Sequence, residues 1–186
     1  SGDLTSVRVA PDFLDKTASL ELISNVGLSC PILQGVTTDI LGNSRNYTTV
    51  MGCYEFDPKT YDVTPVQITS PSGTTLTTGV STSVSVDIKN QGTVALTDMD
   101  IHWTVNDVAQ TPYSWSGNVS SMSTFNVNIG SFMPVTGDNH IKIWTSMPNG
   151  YSDERPKNDT IFMDFEACDS VLAGTYTLGT GGKLSD

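Results

Sequence analysis

From about residue 66 to 165 the chain alternates apolar and polar positions with a period of two. Val84, Val86 and Ile88 alternate with Ser85, Asp87 and Lys89. Met99, Ile101, Trp103 and Val105 alternate with Asp100, His102 and Thr104. Phe125, Val127 and Ile129 repeat the pattern, then Ile141 and Ile143, then Ile161, Met163 and Phe165. This period places one face of a strand on a core and the other toward water. The pattern predicts seven strands, at 65–69, 83–89, 99–105, 108–115, 122–129, 140–145 and 160–165. Turn residues separate them, including Asn90–Thr93, the hairpin-like Asn106-Asp107, Gly137–Asn139 and Asp153–Asp159. Short strands at roughly ten-residue spacing predict an all-β sandwich or barrel, with Trp103 at a position where sandwiches bury an aromatic.

The flanks read differently. Residues 1–57 carry short apolar clusters (Val7, Val9; Phe13, Leu14; Leu20, Leu22, Ile23) punctuated by Gly, Pro and Asn, which predicts short strands in a β-rich cap. Residues 58–65 read as a linker. Residues 166–186 read as a second linker, leading into the first strand of a following repeat.

The chain has 186 residues, nine Lys and Arg against 20 Asp and Glu, and a formal net charge of −11. That charge removes the basic footprint of a nucleic-acid binder and disfavours an anionic membrane surface. No run approaches the ~20 apolar residues of a bilayer-spanning helix. Cys30 and Cys53 are candidates for a disulfide, the alternative being two buried thiols, and Cys168 is left over. No CxxC pair or Cys/His cluster suggests zinc.

Catalytic chemistry has little to stand on. His102 and His140 are the only histidines, and both are expected to face solvent rather than to serve a Ser/His/Asp triad. Asp98 and Asp100 share a strand face that is normally solvated. No catalytic, cofactor or metal residues are assigned. Calcium is the one cation worth weighing, through loop oxygens of Asp138-Asn139 and of Asp153-Glu154 with Asn158-Asp159. Tyr113, Trp115 and Trp144 do not all fit the buried alternation, which makes them candidate surface-binding aromatics for glycans or other surfaces.

Three stretches resemble known families. Val84-Ser85-Val86-Asp87-Ile88-Lys89-Asn90-Gln91-Gly92-Thr93, then Val105-Asn106-Asp107, then Asp153–Asp159, resemble the motifs of the cell-adhesion-related domain found in bacteria, CARDB. The last two depart from the pattern, with Asp107 in place of Gly and Asp159 in place of Asn. Asp39-Ile40-Leu41-Gly42-Asn43-Ser44-Arg45 with Met51-Gly52-Cys53-Tyr54-Glu55 resembles the final rung of bacterial right-handed parallel β-helices, without their Ser-Pro loop. Leu172-Ala173-Gly174-Thr175-Tyr176-Thr177-Leu178-Gly179 resembles the opening strand of β-helix repeats in large Bacteroidetes-type surface proteins.

These resemblances imply an immunoglobulin-like β-sandwich of about seven strands behind a β-helix-like cap. They imply a non-catalytic spacer and adhesive module of a long, exported bacterial protein, secreted or held at the cell surface. Neighbouring repeats of the same chain would be its partners. The alternative is an accessory domain of a secreted β-helix enzyme that processes polysaccharides.

Overall fold

The computed structural model describes residues 10–15, 19–25, 27–31, 34–45, 48–50, 55–73 and 75–169. Four short strands come first: β1 Asp12–Asp15, β2 Ser19–Ser24, β3 Ser29–Pro31 and β4 Thr48–Val50. Nine more follow: β5 Val63–Ser70, β6 Thr75–Thr77, β7 Thr82–Asn90, β8 Leu96–Val105, β9 Val108–Ala109, β10 Tyr113–Val119, β11 Thr124–Phe132, β12 Gly137–Ser146 and β13 Thr160–Cys168. The only helical element among the described residues is one 3₁₀ turn, Pro148–Gly150.

Strands β5 to β13 form an all-β sandwich. One sheet runs β10-β8-β12-β13-β6, with β9 on β8, and the other runs β11-β7-β5. The alternation sets the inner faces. Val84, Val86 and Ile88 of β7 meet Ile101, Trp103, Ile141, Ile143 and Phe165 in one core. Apolar burial of this kind contributes about 25 cal/mol per Å² removed from water. Trp103 is buried as its position in the pattern predicts, and its Nε1 donates to the Thr111 carbonyl at 3.1 Å.

Each of the seven predicted strands has a counterpart, but three local features differ. The predicted strand 108–115 is two strands: the Gln110 amide still donates to the Trp103 carbonyl at 3.0 Å, but Thr111 and Pro112 interrupt the ladder and Pro112 has no N–H to give it. Strand β6 escapes the periodicity, being three residues long and paired in parallel with β13. The stretch 58–65, expected as a linker, is bound into the sandwich instead. Asp62 to Pro65 are buried and β5 begins at Val63. The Gln91 and Gly92 amides each donate to the Asp62 carbonyl at 2.8 Å, and Thr93 N–H donates to Lys59 O at 2.9 Å. A Cβ on Gly92 would lie 2.4 Å from Thr60 O, so glycine is what lets this strap approach.

The β8–β9 hairpin closes through Asn106 and Asp107, at φ 49° and 63°. Positive φ at both central residues is the type I′ requirement, which Asn-Gly meets with least strain. Asp107→Gly is therefore expected to be neutral to stabilising by up to about 1 kcal/mol, relief of the left-handed strain being partly offset by glycine's greater unfolded-state entropy. Equilibrium urea denaturation checks this, and a loss of stability would contradict it.

The N-terminal segment has a small core of its own, in which Leu22, Leu28 and Val50 are packed by Phe13 and Phe56. Its described strands pair antiparallel, β1 with β2 and β3 with β4. Parallel stacking of the kind a β-helix rung makes is not seen among the described residues. The Asp39–Arg45 motif has a local physical role. Asp39 accepts from the amides of Leu41, Asn43 and Glu55 at 2.8, 2.8 and 3.0 Å, and from Asn43 Nδ2 at 2.9 Å. Those donors, with the Glu55 amide foremost, hold its carboxyl down at about 2. Gly42 supplies the left-handed residue of the loop at φ 85°, and Arg45 pairs with Glu55 at 3.0 Å. Cys30 is a half-buried free thiol. Cys53, its candidate partner, and the tail strand from 170 onward lie outside the described residues.

Candidate functional site

The chain enters the sandwich at one pole and leaves it at the other. Val63, the first residue of β5, accepts at its carbonyl from Thr145 Oγ1 at 3.0 Å, near the end of β12. Strand β13 starts at that pole, where Thr160 pairs with Trp144, and ends beyond Ala167, which pairs with Gly137. Eight residue steps along β13 separate the poles by about 26 Å.

The entry pole holds a buried polar cluster. The Arg155 and Asp62 side chains are 2% and 0% exposed, and they pair Nη1 to Oδ2 at 3.0 Å. Arg155 Nη2 donates to the carbonyls of Asp57 at 2.7 Å and Leu22 at 3.4 Å, and its guanidinium lies 3.7 Å from Glu21. One guanidinium thus joins the Asp153–Asp159 turn, the strap and the N-terminal segment. Asn158 Nδ2 donates to Asp62 Oδ1 at 3.1 Å, and Asp153 accepts from the amides of Val63 and Arg155. Burial, then the like charges of Asp62 and Glu154, push Asp153 up to about 6. Burial, then Asp153 and Asp62, push Asp159 up to about 8. Asp159 Oδ1 is buried with no hydrogen-bond partner. A protonated carboxyl is the lower-energy state for such a group.

The exit pole carries an open cleft of about 480 Å³ lined by Asn106, Asp138, Asn139, His140, Asp164 and Phe165. His140 Nδ1 contacts Asp164 Oδ1 at 2.5 Å. The buried Asn139 side chain is spent on Asn106 and the backbone of Val135 and Gly137. The oxygens weighed for calcium are therefore divided. Asp138-Asn139 sit at the exit pole, and Asp153-Glu154 with Asn158-Asp159 sit at the entry pole. No group of three or more acidic, His or Cys side chains is arranged to hold a metal among the described residues.

The candidate aromatics separate too. Trp115 shares the inner side of β10 with Tyr113, opposite Met99 and Ile101. Its ring packs on Phe125 at 4.6 Å and against the core. A Cβ on Gly117 would lie 2.5 Å from that ring, so Trp115 folds back over its own strand. Trp115 is accordingly a partly buried residue at the edge of the core, because the β10 pleat turns it inward. Trp115→Ala is expected to cost about 2 kcal/mol in urea unfolding, roughly half the value of a fully buried Trp. A change under about 0.5 kcal/mol would contradict its packing against the core. Trp144 lies on the outer face, stacked on His102 at 5.4 Å with Lys142 Nζ 5.1 Å from its ring centroid. His102 Nε2 lies 3.0 Å from Ser146 Oγ, but no carboxylate bonds its other nitrogen among the described residues, so the pair lacks the third member of a triad.

Architecture and poles together define an immunoglobulin-like β-sandwich. No family profile and no curated protein matches the chain. Solved structures do. The CARDB domain of the PF1109 protein from Pyrococcus furiosus is 14% identical, with a TM-score of 0.48 over 60% of this chain and 99% of that one. A putative cell surface protein domain from Methanosarcina acetivorans is 15% identical, with a TM-score of 0.49 over 62% of this chain and 98% of that one. A putative lipoprotein from Bacillus subtilis is 13% identical, with a TM-score of 0.34 over 59% and 39% of the two chains.

Proposed function

We propose that this chain is a non-catalytic, load-bearing spacer module of a long, exported bacterial surface protein, holding neighbouring units in line and presenting its sheet faces to glycans or other surfaces. The observation that carries this reading is the placement of entry and exit at opposite poles. Tension applied through the two ends would pull β5 along β7 and β13 along β12. Both are long antiparallel ladders, and the load would shear many hydrogen bonds together instead of opening them one at a time. The entry pole is braced by Arg155, which ties the N-terminal segment to the sandwich.

Single-molecule pulling tests the reading. Force applied through handles at the two chain ends is expected to unfold the sandwich at a several-fold higher force than force applied through handles at Val135 and Cys168, which both lie at the exit pole. Equal forces in the two geometries would overturn it.

A further inference from the structure

The outer face of the larger sheet carries a cationic aromatic patch that the core does not use. Lys142 on β12 stands between Trp144 on its own strand and Phe162 on β13, with Nζ 5.1 and 5.9 Å from the two ring centroids. Phe162 pairs across the strands with Lys142, is 56% exposed, and is flanked by the His140 ring at 5.5 Å. Trp144 is backed by the His102 ring. The patch covers three strands, about 10 Å across, and one pleat repeat, about 7 Å along.

The nearby carboxylates are held by other side chains through hydrogen bonds. Asp164 is hydrogen-bonded to His140, and Asp100 accepts from Ser114 Oγ at 2.7 Å. Lys142, in a chain with more than twice as many acidic as basic residues, has no carboxylate partner among the described residues, and its ammonium lies over the two rings. Cation–π contacts hold an ammonium in place without neutralising it. A held cation with no carboxylate directly bonded to it among the described residues, beside an exposed ring, matches a ligand with one apolar face and one anionic group. The net charge of −11 decides what kind of anion. It repels a dense polyanion such as nucleic acid, whereas over one isolated carboxylate the distant charges are largely screened beyond the ~8 Å Debye length.

We propose that this face binds a glycan carrying sparse uronic acid residues. The sugar ring lies on Phe162 and its carboxylate meets Lys142, whose position Trp144 and Phe162 fix. This deepens the presentation role proposed above by naming the ligand class. Because the pulling experiment does not involve the patch, failure of either proposal leaves the other distinguishable.

Affinity gel electrophoresis of the full chain tests it, with glucuronoxylan, a neutral xylose chain bearing scattered glucuronic acid, and with the same polymer after reduction of its carboxyls to alcohols. Retardation is expected with the acidic polymer. The apparent affinity should fall about threefold to fivefold on carboxyl reduction or in Lys142→Gln, the range of an exposed ion pair. The two losses should not add, since both remove one interaction. Phe162→Ala should lose about fivefold or more on both polymers, and Met133→Ser, at an exposed loop position, should change nothing. Urea unfolding confirms that each variant is folded. Absence of retardation with the acidic polymer would overturn the proposal, as would equal affinity for the two polymers with Lys142→Gln unaffected.

Discussion

Arg155→Met is expected to lower the free energy of unfolding by about 3–5 kcal/mol, the cost of leaving a buried charge without its partner. The side chain is 2% exposed and its partner Asp62 is 0% exposed, so water cannot replace what is removed. The carbonyls of Asp57 and Leu22 lose a donor at the same time. At about 2–4 °C per kcal/mol for a chain of this size, the melting temperature should fall by about 10 °C. Arg155→Lys should lose most of this too, because a single ammonium cannot reach Asp62 and the two carbonyls with the geometry of a guanidinium fork. Adding Asp62→Asn to Arg155→Met should recover part of the loss by removing the orphaned charge. A loss below about 1 kcal/mol for Arg155→Met, or no recovery in the double variant, would mean that the pair does not hold the entry pole.

Stability is expected to fall as the pH rises from about 5 to 9, which is the reverse of what carboxylates held by donors produce. Asp153 and Asp159 sit above the ordinary value of 3.8, at about 6 and about 8, so the native state holds their protons more tightly than the unfolded chain does. Stability must fall with pH wherever the native state binds more protons. Their contribution is complete below 3.8 and is lost as the pH passes through about 6 for Asp153 and about 8 for Asp159. Asp39, held at about 2, works in the other sense: it stabilises above 3.8, and that contribution is lost as the pH falls through 2. Urea midpoints measured across this range should therefore be highest near about pH 4–5 and decline toward pH 9. Asp159→Asn should remove most of the decline above pH 6 and raise the midpoint at about pH 9, because an amide supplies the uncharged group that burial favours. A midpoint that climbs between pH 5 and 9, or a variant with the parent's slope, would refute this.

The difference between what the sequence shows and what it hides is clear at particular residues. Val84, Val86 and Ile88 face inward because the pleat and the apolar pattern share a period. The same logic locates Trp103 and the hairpin at Asn106-Asp107. It fails at β6, where three residues are too few to show a period, and at Trp115. A tryptophan at the edge of an interrupted strand looks the same in sequence whether it turns toward Phe125 or toward water. Asp62 was missed altogether, since a lone aspartate in a Pro-containing stretch reads as a solvated linker. Its partner is 93 residues away and its burial is a property of the folded pole.

The amino-acid order by itself determined the all-β class, the inward faces and most of the strands, because these depend on contacts between residues close in sequence and on the fit of apolar spacing to the pleat. Only the tertiary structure decided which charges are buried, that one arginine joins three segments, that the weighed calcium oxygens stand at opposite poles, and that Lys142, Trp144 and Phe162 share one exposed face. Those features arise from strand order and register, which bring together side chains far apart along the chain, and local periodicity carries no record of them.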